Sequence, residues 1–162
     1  MRGEPGTKRI GIADTTFARF DMAAAATDEL KKQGGGFTIV RYTVPGIKDL
    51  PAACRILFDA QKCDIVIALG MVGRQPVDKD CALVADTGLQ LVQVQAGKHI
   101  LGVMVHEDEA KDEAELAFLF DRRTREHAVN CYDLLFRPEA LRKRAGTGQR
   151  EGFADAGPVR VK

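Results

Sequence analysis

The chain has 162 residues, of which 45% are hydrophobic and 29% charged, with 24 basic and 23 acidic side chains and a formal net charge of +1. This length fits one domain with an ordinary hydrophobic core, and the balanced charge excludes bulk attraction to nucleic acid or to an acidic membrane surface. No apolar run approaches the roughly 20 residues of a membrane-spanning helix, and residues 1–8 lack the apolar core of a signal peptide.

Four short segments rich in Ile, Val or Leu predict buried strands, at residues 9–13, 37–42, 64–69 and 99–105. Segments with helical apolar spacing follow each strand, at residues 21–33, 48–61, 78–95 and 108–136. The third strand is apolar on both faces, which is typical of a parallel sheet covered by helices on both sides. The alternation predicts a three-layer α/β sandwich around a four-stranded parallel sheet.

We assign this domain to residues 1–145 and expect residues 146–162 to form a flexible C-terminal tail, because glycines recur there without aliphatic periodicity. A tail that covers a neighbouring subunit is the alternative. The last long helix also carries apolar residues on two opposed faces, although a surface helix of a monomer needs only one. The second face predicts contact with another subunit, unless these are scattered exposed residues.

The loops after the strands hold the candidate site, because ligands of open parallel sheets bind at the carboxyl ends of the strands. After the first strand, Thr15 or Thr16 could cap the next helix, and Phe17 offers a face on which a planar ring can stack. After the second strand, Pro45 and Gly46 predict a turn through which backbone can approach a ligand, followed by Ile47.

Charged and glycine-flanked residues complete these loops. Asp49 suits the start of a helix, whereas Lys48 does not and therefore favours an anionic or carbonyl-bearing partner over plain solvation. After the third strand, Gly70 begins a GxxG pattern that exposes amides beside Met71 and Val72. A small heterocycle could bind there, although no P-loop signature follows.

The fourth strand ends in His106, followed by three acidic residues at positions 107–109. An imidazole at this edge of the sheet suits proton transfer at neutral pH, whereas His99 and His127 favour structural roles. Asp108, Glu109 and Asp112 could hold Mg²⁺, but helix capping explains acids at a helix start better. The four cysteines lack metal-binding or CxxC spacing and predict reduced thiols in a cytoplasmic protein.

Several loop motifs together resemble one family. They are DTTFAR at residues 14–19, TVPGIKDLP at 43–51, ALGM at 68–71, VHEDEA at 105–110 followed by Lys111 and Asp112, AGTG at 145–148 and DAGP at 155–158. In this order and over nearly the whole chain, they resemble the archaeal-type riboflavin synthases, which are related to 6,7-dimethyl-8-ribityllumazine synthase.

The resemblance implies a flavodoxin-like sandwich and a cytoplasmic homopentamer whose active sites lie at subunit interfaces. It implies dismutation of two 6,7-dimethyl-8-ribityllumazine molecules to riboflavin and 5-amino-6-(D-ribitylamino)uracil by transfer of four carbons. It calls for no cofactor, no nucleic acid and no membrane, with Mg²⁺ an open possibility. Lumazine synthase or a non-catalytic flavin carrier are the alternatives. The segment GRQPV at residues 73–77 breaks the phosphate-binding pattern of lumazine synthase and favours dismutation.

The resemblance also implies roles for the candidate residues. Phe17 would stack on the heterocycle, Met71 and Val72 would line its edge, and Asp49 would accept hydrogen bonds from the ribityl hydroxyls. Loop position and residue type, in turn, make His106 the candidate proton shuttle and Lys48 the group that would stabilise negative charge on the ring. The predicted substrate-binding set also includes Thr16, Pro45, Gly46, Ile47 and Gly70.

Overall fold

The computed structural model describes residues 6–162. A parallel sheet contains β1 (Lys8–Thr15), β2 (Phe37–Val44), β3 (Ile65–Val72) and β4 (Ile100–His106), in the order β2-β1-β3-β4. The helices are α1 (Met22–Gln33), α2 (Leu50–Asp59), α3 (Pro76–Ala96), α4 (Glu113–Phe136) and α5 (Pro138–Arg144). Single 3₁₀ turns at Ile47–Asp49 and Glu107–Glu109 precede α2 and α4.

The helices form two layers around the sheet, which confirms the predicted three-layer sandwich. On one face, α1 packs against α4 over a core that includes Phe120 and Leu30. On the other face, α2 packs against α3 over a core that includes Leu57 and Leu89. Every residue of β3 is buried, as its continuous apolar sequence predicts for a central strand.

Most element boundaries differ by a few residues from the sequence prediction, and the two largest shifts affect the site. Strand β3 continues through Val72, so residues 70–72 belong to the strand and not to the loop after it. Helix α4 begins at Glu113 and not at residue 108. The reason is local, because the Asp112 carboxylate accepts a 2.8 Å hydrogen bond from the Glu115 amide and caps the helix there.

The strand order creates a crevice between the loops that follow β1 and β3. The chain leaves β1 toward α1 on one face of the sheet and leaves β3 toward α3 on the other face. Neighbouring strands whose connections depart to opposite faces leave space between their carboxyl ends. The candidate site lies at this switch point.

Part of the C-terminal segment lies against α4. Gly152 is buried, and neighbouring residues 151 and 153 contact side chains of the helix. Within residues 6–162, no helix is long and apolar enough to cross a membrane.

Candidate active site

A cleft of about 420 Å³ opens at the switch point of the sheet. The loop after β1, the turn before α2, the end of β3 and the first turns of α3 all contribute to its walls. Its lining residues are Phe17, Pro45, Gly46, Ile47, Lys48, Asp49, Met71, Val72, Gly73, Asp78 and Cys81. The cleft therefore brings together eight of the eleven predicted substrate-binding and catalytic residues, with Phe17 at its mouth.

Phe17 presents an exposed ring above an apolar floor. Its side chain is 51% exposed, whereas Ile47, Met71 and Val72 are at most 8% exposed. The loop is held by its threonines, because Thr15 Oγ1 accepts from the Ala18 amide at 3.3 Å. An aromatic ring that is free on one face and lies beside buried aliphatic groups can bind a planar heterocycle.

Thr16 serves the loop and does not line the cleft. Its hydroxyl donates a 3.2 Å hydrogen bond to the Pro45 carbonyl and so joins the loops after β1 and β2. The backbone amide of Thr16 also donates to the Val44 carbonyl at 2.9 Å. This residue therefore fixes the distance between Phe17 and the turn that faces it.

The rim of the cleft carries two opposite charges with no internal partner. Lys48 and Asp49 are both exposed, and within residues 6–162 neither side chain makes a hydrogen bond or an ion pair. The turn that presents them closes with a 3.1 Å hydrogen bond from the Asp49 amide to the Gly46 carbonyl. Both side chains are available to a polar ligand without first breaking a contact in the protein.

Gly70 lies behind the cleft and does not line it. A Cβ atom there would lie 2.6 Å from Ile47 Cγ2 and 2.9 Å from Met104 Sδ. The glycine therefore lets Ile47, which forms a wall of the cleft, pack directly onto the backbone of β3. Met71 and Val72 line the cleft from within the strand.

His106 lies beside the cleft but on the other flank of α3. It pairs with Val72 in the sheet, and its Nδ1 accepts a 3.0 Å hydrogen bond from Lys79 Nζ. Cys81, which lines the cleft, is two residues from Lys79, so the two side chains leave the helix in roughly opposite directions. His106 is thus not among the residues that line the cleft of its own chain.

The acidic residues after His106 are engaged by cations of the same chain. Glu107 Oε1 accepts from Arg19 Nη1 at 2.7 Å, and Asp108 Oδ1 accepts from Lys79 Nζ at 2.7 Å. The hydrogen bond from Lys79 lowers the pKa of the Asp108 carboxyl group. No group of three His, Cys, Asp or Glu side chains in residues 6–162 is arranged to hold a metal ion. These acids fit a role in fixing loops better than one in binding Mg²⁺.

Glu109 has a buried partner. Its carboxylate accepts two hydrogen bonds from the guanidinium of Arg123 on α4, one of them 2.9 Å from Nη1 to Oε1. The same carboxylate accepts from the His106 backbone amide at 3.1 Å. The Arg123 hydrogen bonds, with a smaller contribution from the His106 amide, lower the pKa of Glu109 despite partial burial.

The cysteines divide into three buried thiols and one at the site. Burial raises the pKa of Cys54 and of Cys131 to about 12, and that of Cys63 to about 11. Cys81 is partly exposed and lines the cleft.

Sequence reasoning missed several side chains of this region. Asp78 and Cys81 line the cleft, Lys79 contacts His106, and Arg123 contacts Glu109. The first three lie in the first two turns of α3, directly after a strand, which is a position that could have been searched. Arg123 gave no local signal, because it reaches the site from the middle of α4.

Comparison with known proteins defines the class that this fold and cleft represent. The profile of the 6,7-dimethyl-8-ribityllumazine synthase family matches residues 7–139. The chain therefore belongs to the 6,7-dimethyl-8-ribityllumazine synthase family.

Curated relatives narrow this assignment to the riboflavin synthases. The riboflavin synthase of Methanothermobacter thermautotrophicus is 54% identical over 151 residues, which are 93% of this chain and 99% of the relative. That of Archaeoglobus fulgidus is 50% identical over 151 residues, covering 93% and 98% of the two chains. That of Aeropyrum pernix is 49% identical over 154 residues, covering 94% and 99%. The expected resemblance to archaeal riboflavin synthases is confirmed.

Proposed function

We propose that this protein is a riboflavin synthase that converts two molecules of 6,7-dimethyl-8-ribityllumazine into riboflavin and 5-amino-6-(D-ribitylamino)uracil. The observation that carries the proposal is the match, over 93% of the chain, to relatives named riboflavin synthase. The cleft supports it, since an exposed ring over an apolar floor and two free charges at the rim suit a polar heterocycle with a hydroxylated chain.

Different residues of the cleft contact different parts of the substrate. Phe17 stacks on the heterocycle, and Met71 and Val72 contact its edge from β3. The ribityl chain follows the turn at Gly46 and Ile47, where Asp49 accepts hydrogen bonds from its hydroxyls. Lys48, opposite in charge, stabilises negative charge that develops on the ring after the C7 methyl group loses a proton.

His106 carries the proton in this proposal, and Lys79 sets its tautomer. Lys79 Nζ lies 3.0 Å from Nδ1 of the imidazole and can only donate to it, so the neutral ring holds its proton on Nε2. The same ammonium group bonds Asp108, which keeps it in place. A ligand therefore meets an Nε2–H donor. As Nε2 gives up this proton, Nδ1 takes one from Lys79, and the reverse transfer lets Nε2 accept a proton from the substrate.

A second copy of the chain completes the site in this proposal, within a homopentamer. His106 and the cleft lie on different flanks of α3, so the histidine of one subunit serves a ligand held in the cleft of the next. An apolar face on the outside of α3 supports self-association, and its large exposed residues are Val77, Leu83, Val84, Leu91 and Val94. On α4, Leu116 and Phe120 are buried in the core, which leaves Phe118 exposed for such a contact. Sedimentation velocity tests the assembly, and a monomeric mass would contradict it.

The proposal calls for no cofactor, and the acids nearest His106, which already bind Lys79, Arg19 and Arg123, favour a reaction without a divalent ion. The dismutation itself draws on positioning of two substrates, which can contribute roughly 7–11 kcal/mol. Four free cysteines, with no disulfide in the described part of the chain, fit an enzyme of the reducing cytoplasm.

The decisive experiment incubates the purified protein with 6,7-dimethyl-8-ribityllumazine, with and without EDTA, and follows riboflavin by chromatography. We expect riboflavin and the diaminouracil in equal amounts, unaffected by the chelator. Substrate that binds without conversion would leave only a flavin or lumazine carrier. Lumazine formed from the diaminouracil and a phosphorylated butanone would instead indicate a lumazine synthase.

Two variants test the catalytic roles within this assay. His106→Ala should lower kcat by about 10²–10⁴-fold, the range for general acid or base groups. Lys48→Ala should lower it at least tenfold. Near wild-type turnover of either variant would remove that residue from the mechanism, while leaving the overall reaction in place.

A further inference from the structure

Arg123 connects three parts of the molecule although it is almost completely buried. Its side chain is 6% exposed, and its guanidinium binds the Glu109 carboxylate with two hydrogen bonds. Its Nε donates to the Gly152 carbonyl at 3.2 Å, and the Phe153 ring centroid lies 4.5 Å from its Cζ. One cation thus joins the loop after β4, the middle of α4 and the C-terminal segment.

The C-terminal segment packs on a surface of α4 formed by Arg123, His127 and Asn130, which we call the seat. Gly152 has a φ of +75°, and a Cβ atom there would lie 3.2 Å from His127 Nε2 and 3.3 Å from Arg123 Cγ. Both the left-handed backbone and the close approach favour glycine at this position. Beside it, Glu151 Oε1 lies 2.8 Å from His127 Nδ1, and Asn130 donates to the same oxygen at 3.3 Å. The segment makes specific contacts at three successive residues.

The seat is connected to His106 through a continuous set of hydrogen bonds. The Glu109 carboxylate that Arg123 holds also accepts from the His106 backbone amide at 3.1 Å. Arg123 has no contact with the cleft, so it cannot bind the substrate there. Its orientation depends on the tail carbonyl on one side and on the carboxylate on the other.

From this geometry we propose that Arg123 is a positioning residue and that residues 151–153 form a strap which, through Arg123 and Glu109, fixes the loop that presents His106. The strap supplies a carbonyl acceptor and an aromatic face, so the guanidinium keeps one orientation with its two terminal nitrogens toward Glu109. Release of the strap frees this guanidinium and loosens the His106 backbone without changing the cleft. The catalytic part of this inference rests on the proposed function, whereas the structural coupling does not.

A histidine spectrum tests the coupling directly, because the chain has three histidines. In full-length protein labelled with ¹³C at histidine Cε1, His127 reports on the strap, His106 on the loop, and His99 serves as an internal reference. Gly152→Ala adds the Cβ that the seat excludes, whereas Gly157→Ala places alanine at a similar φ of +78° where a Cβ would meet nothing within 4 Å. Single His→Gln variants assign the three signals.

Gly152→Ala should shift or broaden the signals of both His127 and His106 while that of His99 stays in place. Gly157→Ala should leave all three unchanged. A His127 signal that moves without any change at His106 would overturn the coupling, and so would two unchanged signals. Both results are obtained without substrate, so they stand even if the protein makes no riboflavin.

Kinetics then test the catalytic consequence. Gly152→Ala and Arg123→Lys, which keeps the charge but loses the forked geometry, should each lower kcat roughly three- to tenfold with KM within about twofold of wild type. Gly157→Ala should match the wild type in both constants. A rise in KM with unchanged kcat would overturn positioning of His106, since a strap that acted through the cleft would produce that pattern.

Discussion

Substitution of Gly70 by alanine is the sharpest test of how the core shapes the cleft. Gly70 lies in β3 directly behind Ile47, and the added methyl group would lie 2.6 Å from Ile47 Cγ2 and 2.9 Å from Met104 Sδ. Met104 is unbranched and can rotate its thioether away. Ile47 is β-branched and has little rotamer freedom, so the displacement falls mainly on this wall of the cleft.

The cost follows from overpacking a buried site. Extra methyl groups in a well-packed core destabilise by about 1–3 kcal/mol. For a chain of 162 residues, each kcal/mol lowers Tm by roughly 2–4 °C, so we expect a decrease of about 2–12 °C. Substrate affinity should fall as well, because Ile47 would move toward the space where we propose that the heterocycle binds.

The assay compares Gly70→Ala with Gly102→Ala, at equal protomer concentration because assembly contributes to apparent stability. Gly102 lies in the adjacent strand β4, where the nearest atom to an added Cβ is Leu89 Cδ1 at 3.9 Å, an ordinary contact. Gly102→Ala should melt within about 2 °C of wild type. A Gly70→Ala protein as stable as this control, with unchanged KM, would refute the packing argument.

Three further predictions concern the cleft and its loops. Phe17→Ala should weaken lumazine binding roughly two- to twelvefold, as expected for loss of about 0.5–1.5 kcal/mol of stacking. The Tm should stay unchanged because the ring is 51% exposed. Unchanged affinity in a fluorescence titration would exclude stacking. Cys81 should be alkylated by iodoacetamide before the three buried cysteines, and lumazine should slow the alkylation of Cys81 in a mass-spectrometric time course. Equal rates of Cys81 alkylation with and without lumazine would place the ligand elsewhere. The Arg123 hydrogen bonds lower the folded-state pKa of Glu109 below its ordinary value of 4.5, so this ion pair contributes its full stability above that pH and loses it as pH falls through the lowered pKa. Glu109→Gln should therefore reduce the loss of unfolding free energy at acidic pH, measured by urea denaturation. The same loss in the variant and the wild type would contradict this.

The fold was predictable because its signals are local and repeated. Each strand is a short apolar run, and each helix has its own apolar face, so β-α alternation alone gives the sandwich. The boundaries were less predictable. The acidic run after His106 suggested one continuous helix, but Asp112 caps α4 and the three acids form a 3₁₀ turn instead.

Those parts of the candidate site that lie within a single loop after a strand were predictable from the sequence. Phe17 and the residues 45–49 follow strand ends, and the structure places both at the cleft. Gly70 also follows an apolar run, but it lies inside the strand, because β3 remains buried through Val72. The contacts of Arg123 could not be predicted, because Glu109 and Gly152 are far from it in the sequence and come together only in the fold.

The size of the cleft bears on how the dismutation is arranged. A volume of about 420 Å³ lies toward the lower end of the roughly 300–1,000 Å³ typical of ligand pockets, which suits one ribityllumazine more than two. The reaction nevertheless needs two such molecules face to face. The first can stack on Phe17, whose exposed ring lies at the mouth of the cleft. In the proposed homopentamer, the second would lie outside that cleft, against a neighbouring subunit. Because His106 lies across α3 from its own cleft, the proposed homopentamer would bring the proposed proton shuttle to the outer substrate at a subunit contact.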